Sequence, residues 1–280
     1  MSTGLVLEGG GLRAIFTSGV VDLLLDEGIR FDAVFGVSAG ACHACSFLSG
    51  QRGRAFRAMA GYVGDKRYGS WRNWLRTGDY FSEQFAYHEL PEKLCPLDAE
   101  AYARNPVKLR AVATNCRTGL AEYPVVEDVL RDMDAIRASA SLPLLSRMVP
   151  LRGELYLDGG ISDSIPVAQS LREGNARNVV VLTRDASYRK GPNPMMPLLR
   201  LRYRRYPALV KAMAERHLRY NETMEKIAEW ERDGSVFVVR PSKPLEIGRL
   251  EKDYATLEAG YRLGYETARE LLPRLREYVG

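Results

Sequence analysis

Apolar and polar positions follow two rhythms along the first two thirds of the chain. Short apolar runs have the length of buried strands: Gly4 to Glu8, Phe31 to Val37, Val107 to Asn115, Gly153 to Gly160 and Asn178 to Arg184. Between them lie stretches of helical character. Leu12 to Glu27 carries Ile15, Val20, Leu23 and Leu24 near helical spacing, a small-residue run follows Ser38, and Val125 to Ser139 reads as a further helix. Strands alternating with helices predict an α/β fold of three layers, α/β/α, around a mostly parallel central sheet. Gly64 to Pro96, rich in aromatic and charged residues, breaks the rhythm and reads as a surface excursion with short helices. The last third reads as helical from Met195 to Asp233 and from Leu250 to Tyr278, around one strand, Ser235 to Arg240. No repeat or low-complexity linker is visible. The expectation is a single domain over residues 1–280, with a core of about 4–185 and a helical C-terminal region of about 186–280.

Composition narrows this picture modestly. At 280 residues and 46% hydrophobic, the chain can bury one large core. The N-terminus lacks the basic and long apolar segments of a signal peptide, and no run approaches the length of a membrane span. Cytoplasmic location is expected, with Cys42, Cys45, Cys95 and Cys116 as free thiols. A formal charge of +5 points mildly to anionic partners without choosing among them. The sequence carries no signal for an oligomeric state.

Ser38 stands between a strand run and a helix run, with Gly36 and Gly40 on either side. Such a turn is so cramped that its neighbours must be glycine, and it presents a hydroxyl at a helix N-terminus where an anion can be held. G-x-S-x-G also arises by chance in a chain with 25 glycines, so both readings stand at this point. Gly9, Gly10 and Gly11, followed by Arg13, lie where the first strand meets the first helix. They read as an oxyanion hole if the first two strands are neighbours, or as a packing turn. A dinucleotide fingerprint fails because position 14 is alanine. A serine nucleophile needs a base. His43 follows Ser38 by five residues, so its side chain is expected to point away from the hydroxyl, whereas His88 and His217 read as surface or capping residues. Asp158, at the tip of an apolar strand before Gly159 and Gly160, is the alternative, or else a turn residue; Asp163 reads as a turn or cap. Cys42 and Cys45 flank His43 but lack a second ligand pair, so neither metal nor cofactor is expected.

Taken together, these residues resemble the patatin-like phospholipase family. Gly9, Gly10, Gly11 and Arg13 match its G-G-G-x-R/K motif, Gly36, Ser38 and Gly40 its nucleophile elbow, and Asp158-Gly159 its D-G-G/A. Ala138 to Pro143 is similar to a block the family carries between elbow and aspartate, and the resemblance covers about residues 4–185. Ala14 stands where many members have glycine. The resemblance implies a Ser38–Asp158 dyad that hydrolyses lipid acyl esters through an acyl-enzyme without metal. A small-ester esterase, a thioesterase on the same dyad, or a non-catalytic lipid binder are the alternatives. Residues 189–211 contain no acid and mix arginine and lysine with proline, methionine and leucine. That pattern suits peripheral contact with an anionic membrane, at the inner surface of the cell membrane, or a solvated face. No nucleic-acid module accompanies the charge.

Overall fold

Strand runs without a polar face must be covered on both sides, and the computed structural model, which describes residues 1–248 and 250–280, covers them in that way. The strands are β1 (Thr3–Leu7), β2 (Ala33–Val37), β3 (Leu109–Asn115), β4 (Ala121–Glu122), β5 (Val125–Val126), β6 (Val149–Leu151), β7 (Glu154–Asp158), β8 (Arg177–Val181) and β9 (Val236–Val239). The sheet order is β6-β7-β3-β2-β1-β8-β9, with the short β4 and β5 also on β3. Neighbours from β3 to β9 are parallel, whereas β7, β6, β4 and β5 join antiparallel.

Alternate strand residues feed two cores. Leu5, Leu7, Val34, Leu109, Val179 and Val181 point to one face and Val6, Phe35, Val180, Val236 and Val238 to the other. Each such side chain contributes about 1.5–3 kcal/mol on leaving water. The helices are α1 (Ile15–Asp26), α2 (Ala39–Leu48), α3 (Arg54–Ala60), α4 (Trp71–Thr77), α5 (Ala99–Arg104), α6 (Met133–Ala140), α7 (Val167–Arg172), α8 (Met196–Arg202), α9 (Pro207–Asp233) and α10 (Tyr254–Val279). Residues of α1, α2, α6 and α10 enter the first core, and those of α7 and α9 the second. The three-layer architecture is as the alternation predicts. Among the described residues, no helix is long and apolar enough to cross a membrane.

Some elements differ from the sequence pattern. The helix expected over Val125 to Ser139 begins only at Met133, and Val125–Val126 instead pairs with β3. Between them, Asp128 accepts from the N–H groups of Leu130 and Arg131, and Asp132 from those of Glu127 and Asp128. These side-chain bonds compete with helix formation. The helix expected from Met195 to Asp233 is split, with Pro207 opening α9 after a turn at Tyr203–Tyr206. The helix expected from Leu250 starts at Tyr254, capped by Asp253. The last third is helical around one strand, as expected. It supplies β9 to the sheet, and α10 crosses α1 so closely that a Cβ on Gly264 would collide with the carbonyl of Phe16.

Candidate active site

Ser38 adopts φ +55° and ψ −123° between β2 and α2. A positive φ on a non-glycine residue costs on the order of 1–3 kcal/mol and persists only where its surroundings enforce it. They do so here. A Cβ on Gly36 would lie 2.6 Å from Ala41 Cα, and one on Gly40 would lie 2.5 Å from the carbonyl oxygen of Leu7. The N–H of Ser38 donates to Ser139 Oγ at 2.8 Å. Both flanking glycines are therefore required by packing.

Sheet register brings Asp158 toward this serine. Val37 pairs with Val112, and the next residue of β3, Ala113, pairs with Asp158. Ser38 and Asp158 thus stand on one rung, two strand spacings apart, or about 10 Å between α-carbons. Gly159 lets the chain fold back over β3, because a Cβ there would collide with the Val112 carbonyl. Asp158 is buried, its Oδ1 accepts from Gly160 N–H at 2.8 Å, and its own N–H donates to Ser141 O at 2.8 Å. The Ala138–Pro143 block thus holds the backbones of both residues, through Ser139 and Ser141.

β1 and β2 are neighbours, so the Gly9–Gly11 turn lies beside the serine; a Cβ on Gly9 would come within 3.0 Å of Ser38 Cβ. Beneath it, buried Glu8 accepts from Thr183 N–H at 2.6 Å, Thr183 Oγ1 at 3.0 Å and Tyr220 O–H at 2.9 Å. Burial and the neighbouring Glu8 push the Tyr220 phenol well above its ordinary range. Ser38, Asp158 and the glycine turn line one small polar cleft, together with buried Arg13 and with Arg184, Lys190 and Arg216. Ser38 and Leu142 also line a second, apolar cavity of about 130 Å³, walled by Leu12, Met59, Tyr87, Leu90 and Ile136. The 64–96 excursion supplies part of that wall, so it is not merely surface. The serine stands where an apolar cavity meets a basic cleft.

The histidines are arranged differently. His43, expected to point away, is buried and lines the same apolar cavity as Ser38. Burial, with a smaller contribution from Arg54, pushes its pKa down to about 4, against a bond to Ala14 that raises it. His88 pairs with Glu92 at 3.4 Å, and His217 Nδ1 contacts Ala214 O at 3.0 Å. The cysteines are free thiols, and burial pushes Cys42 up to about 11. Among the described residues no group of ligands could hold a metal ion.

The depressed His43 pKa carries a stability signature. From pH 6.5, the ordinary imidazole value, down to about 4, only the unfolded chain takes up the proton. This contribution is therefore full above pH 6.5 and is lost as pH falls toward 4, by about 3 kcal/mol. Denaturant unfolding across that range is expected to show a steeper acid decline for the wild type than for His43→Gln. Parallel pH profiles would refute it.

A mostly parallel α/β sheet carrying a strained serine between strand and helix defines the class of α/β carboxylic ester hydrolases. The chain belongs to the patatin-like phospholipase family, whose profile matches residues 5–171. A domain of unknown function, DUF6363, matches residues 206–280. An uncharacterized protein of Escherichia coli K12, YjjU, is 29% identical over 93% of this chain and 74% of its own length. The lysophospholipase NTE1 of Debaryomyces hansenii is 27% identical over 62% of this chain but only 11% of its own length. The solved structure of VipD from Legionella pneumophila superposes with a TM-score of 0.49 at 14% identity, covering 98% of this chain and 67% of that one.

Sequence reasoning missed several groups around the site. Ser139 and Ser141 were legible only as part of a block, and Arg184, Lys190 and Arg216 not as cleft residues. The backbone of Lys190 is clamped to Asn221 of α9 in both directions. Its ammonium lies 4.2 Å from the centroid of the Tyr220 ring.

Proposed function

We propose that this lipid acyl hydrolase cleaves acyl esters with a Ser38–Asp158 dyad. Ser38 attacks the ester carbonyl while Asp158 takes its proton, and the Gly9–Gly11 turn with the start of α2 holds the oxyanion. Asp158 then protonates the departing alkoxide, leaving an acyl-enzyme that water hydrolyses with the aspartate again as base. A carboxylate is a weak base for a hydroxyl, so proton transfer accompanies attack and the oxyanion donors carry much of the catalysis. The observation that carries this reading is the location of Ser38 at the junction of two spaces. The apolar cavity suits an acyl chain, and the basic cleft suits a polar leaving group. Labelling with a fluorophosphonate probe tests it, since only an activated serine reacts; absence of labelling on folded protein would refute it.

A peripheral membrane contact through residues 189–211 fits the same reading. Leu199 and Tyr203 anchor α8 in the core, whereas Met195, Leu198 and Leu201 are exposed among Arg200, Arg202, Arg204 and Arg205. Trp71 and Leu75 of α4 are exposed as well. Leu144 joins the two regions, its carbonyl accepting from Trp74 Nε1 and its N–H donating to Tyr203 Oη. Each arginine near an anionic surface contributes about 1 kcal/mol, so replacing the four by glutamine is expected to weaken binding to anionic vesicles about 100-fold or more. Turnover of a soluble short-chain ester is expected to persist. Equal vesicle binding would make the segment a solvated face.

A further inference from the structure

The apolar cavity has a polar far end. Arg54, the first residue of α3, lines it and is only 4% exposed. Its Nε–H donates to the carbonyls of Cys95 and Pro96, Nη1 to Ser46 Oγ at 3.0 Å, and Nη2 to Cys95 O at 2.7 Å. No carboxylate pairs with it among the described residues. The second proton on each Nη has no acceptor among them either. A buried cation without a counter-anion is costly, because the interior screens it poorly. A second side chain on the same wall is in a similar state. His43 is 2% exposed, and its Nε2 has no hydrogen-bond partner among the described residues. A wall built only for methylene groups would carry neither.

The spacing sets a length. Ser46 follows Ser38 by eight positions on α2, which is about 12 Å at helical rise, the reach of a chain of roughly nine carbons. Resting on the reading of Ser38 as the acylated residue, we infer that the cavity accepts medium-length acyl chains that end in a carboxylate. Arg54 pairs with that carboxylate beside Ser46. His43 Nε2 accepts from water that enters with the anion. Esters of this class are half-esters of dicarboxylic acids and lipids whose acyl chain has been oxidatively cut. The substrate is thus recognised at both ends, by Ser38 at the ester and by Arg54 at the terminus.

The test compares mono(4-nitrophenyl) nonanedioate with 4-nitrophenyl nonanoate, and the butanedioate with the butanoate ester, at pH 7.5. For wild type, kcat/KM for the nonanedioate ester is expected to equal or exceed that for nonanoate. The butanedioate ester, too short to reach Arg54, is expected to fall about 100-fold or more below butanoate. Arg54→Gln is expected to lower the nonanedioate-to-nonanoate ratio by about 100-fold, with partial recovery in Arg54→Lys. Each ratio is taken within one preparation, so loss of folded protein cancels. A nonanedioate ester far slower than nonanoate in wild type, or an unchanged ratio in Arg54→Gln, would overturn the inference. Calorimetry on Ser38→Ala protein separates this from the hydrolase reading. Monomethyl nonanedioate is expected to bind saturably and the dimethyl ester at least about tenfold more weakly. If neither nitrophenyl ester turns over, the hydrolase reading fails, and equal binding of the two methyl esters would sink the carboxylate site by itself.

Discussion

Ser38→Ala protein is expected to lose fluorophosphonate labelling completely and ester turnover by at least about 10³-fold, while melting within a degree or two of wild type. The argument is local. Ser38 lines both the cavity and the cleft, and the turn is held by the Ser38 N–H bond to Ser139 and by the packing of Gly36 and Gly40. Alanine keeps all of these, so the change removes chemistry and leaves the fold. Turnover that survived in this variant, measured with a 4-nitrophenyl ester on protein purified away from host esterases, would end the enzyme assignment of this serine.

Asp158→Asn is expected to lower kcat by about 10²–10⁴. Asparagine retains the Oδ1 that accepts from Gly160 N–H, and the backbone bond to Ser141 does not depend on the side chain. Geometry is therefore kept, and the capacity to accept the serine proton is lost. His88→Gln and His217→Gln are expected to stay within a few-fold of wild type, since their rings pair with Glu92 and contact the Ala214 carbonyl. His43→Gln is compared at matched folded fraction, because that ring is buried. A dead His43 variant beside an active Asp158→Asn would replace the dyad with a histidine-based mechanism.

Local requirements were legible without a structure. Gly36, Ser38 and Gly40 announce a turn that no other neighbours allow, and the collisions a Cβ would meet there bear this out. Apolar runs of strand length, alternating with helical periods, predicted the three layers, because strands buried on both faces leave no polar alternation to read. The side-by-side arrangement of the first two strands was only a condition of the oxyanion-hole reading, and the sheet meets it. The sequence pattern failed at Val125 to Ser139, where aspartate side chains bond the backbone locally and two valines join β3.

By itself the sequence determined the strand runs, the cramped serine turn, the glycine loop and the strand-end aspartate, because each is imposed within a few residues by steric limits and burial. Tertiary structure alone decided what surrounds them. Ser139 reaches Ser38 across 101 positions, and Tyr220 reaches Glu8 across 212. The same folding turned the aromatic excursion into a cavity wall and put Arg54 at the cavity's far end. Periodicity shows which side of an element is buried, not which distant element covers it; that follows from the order in which strands join the sheet.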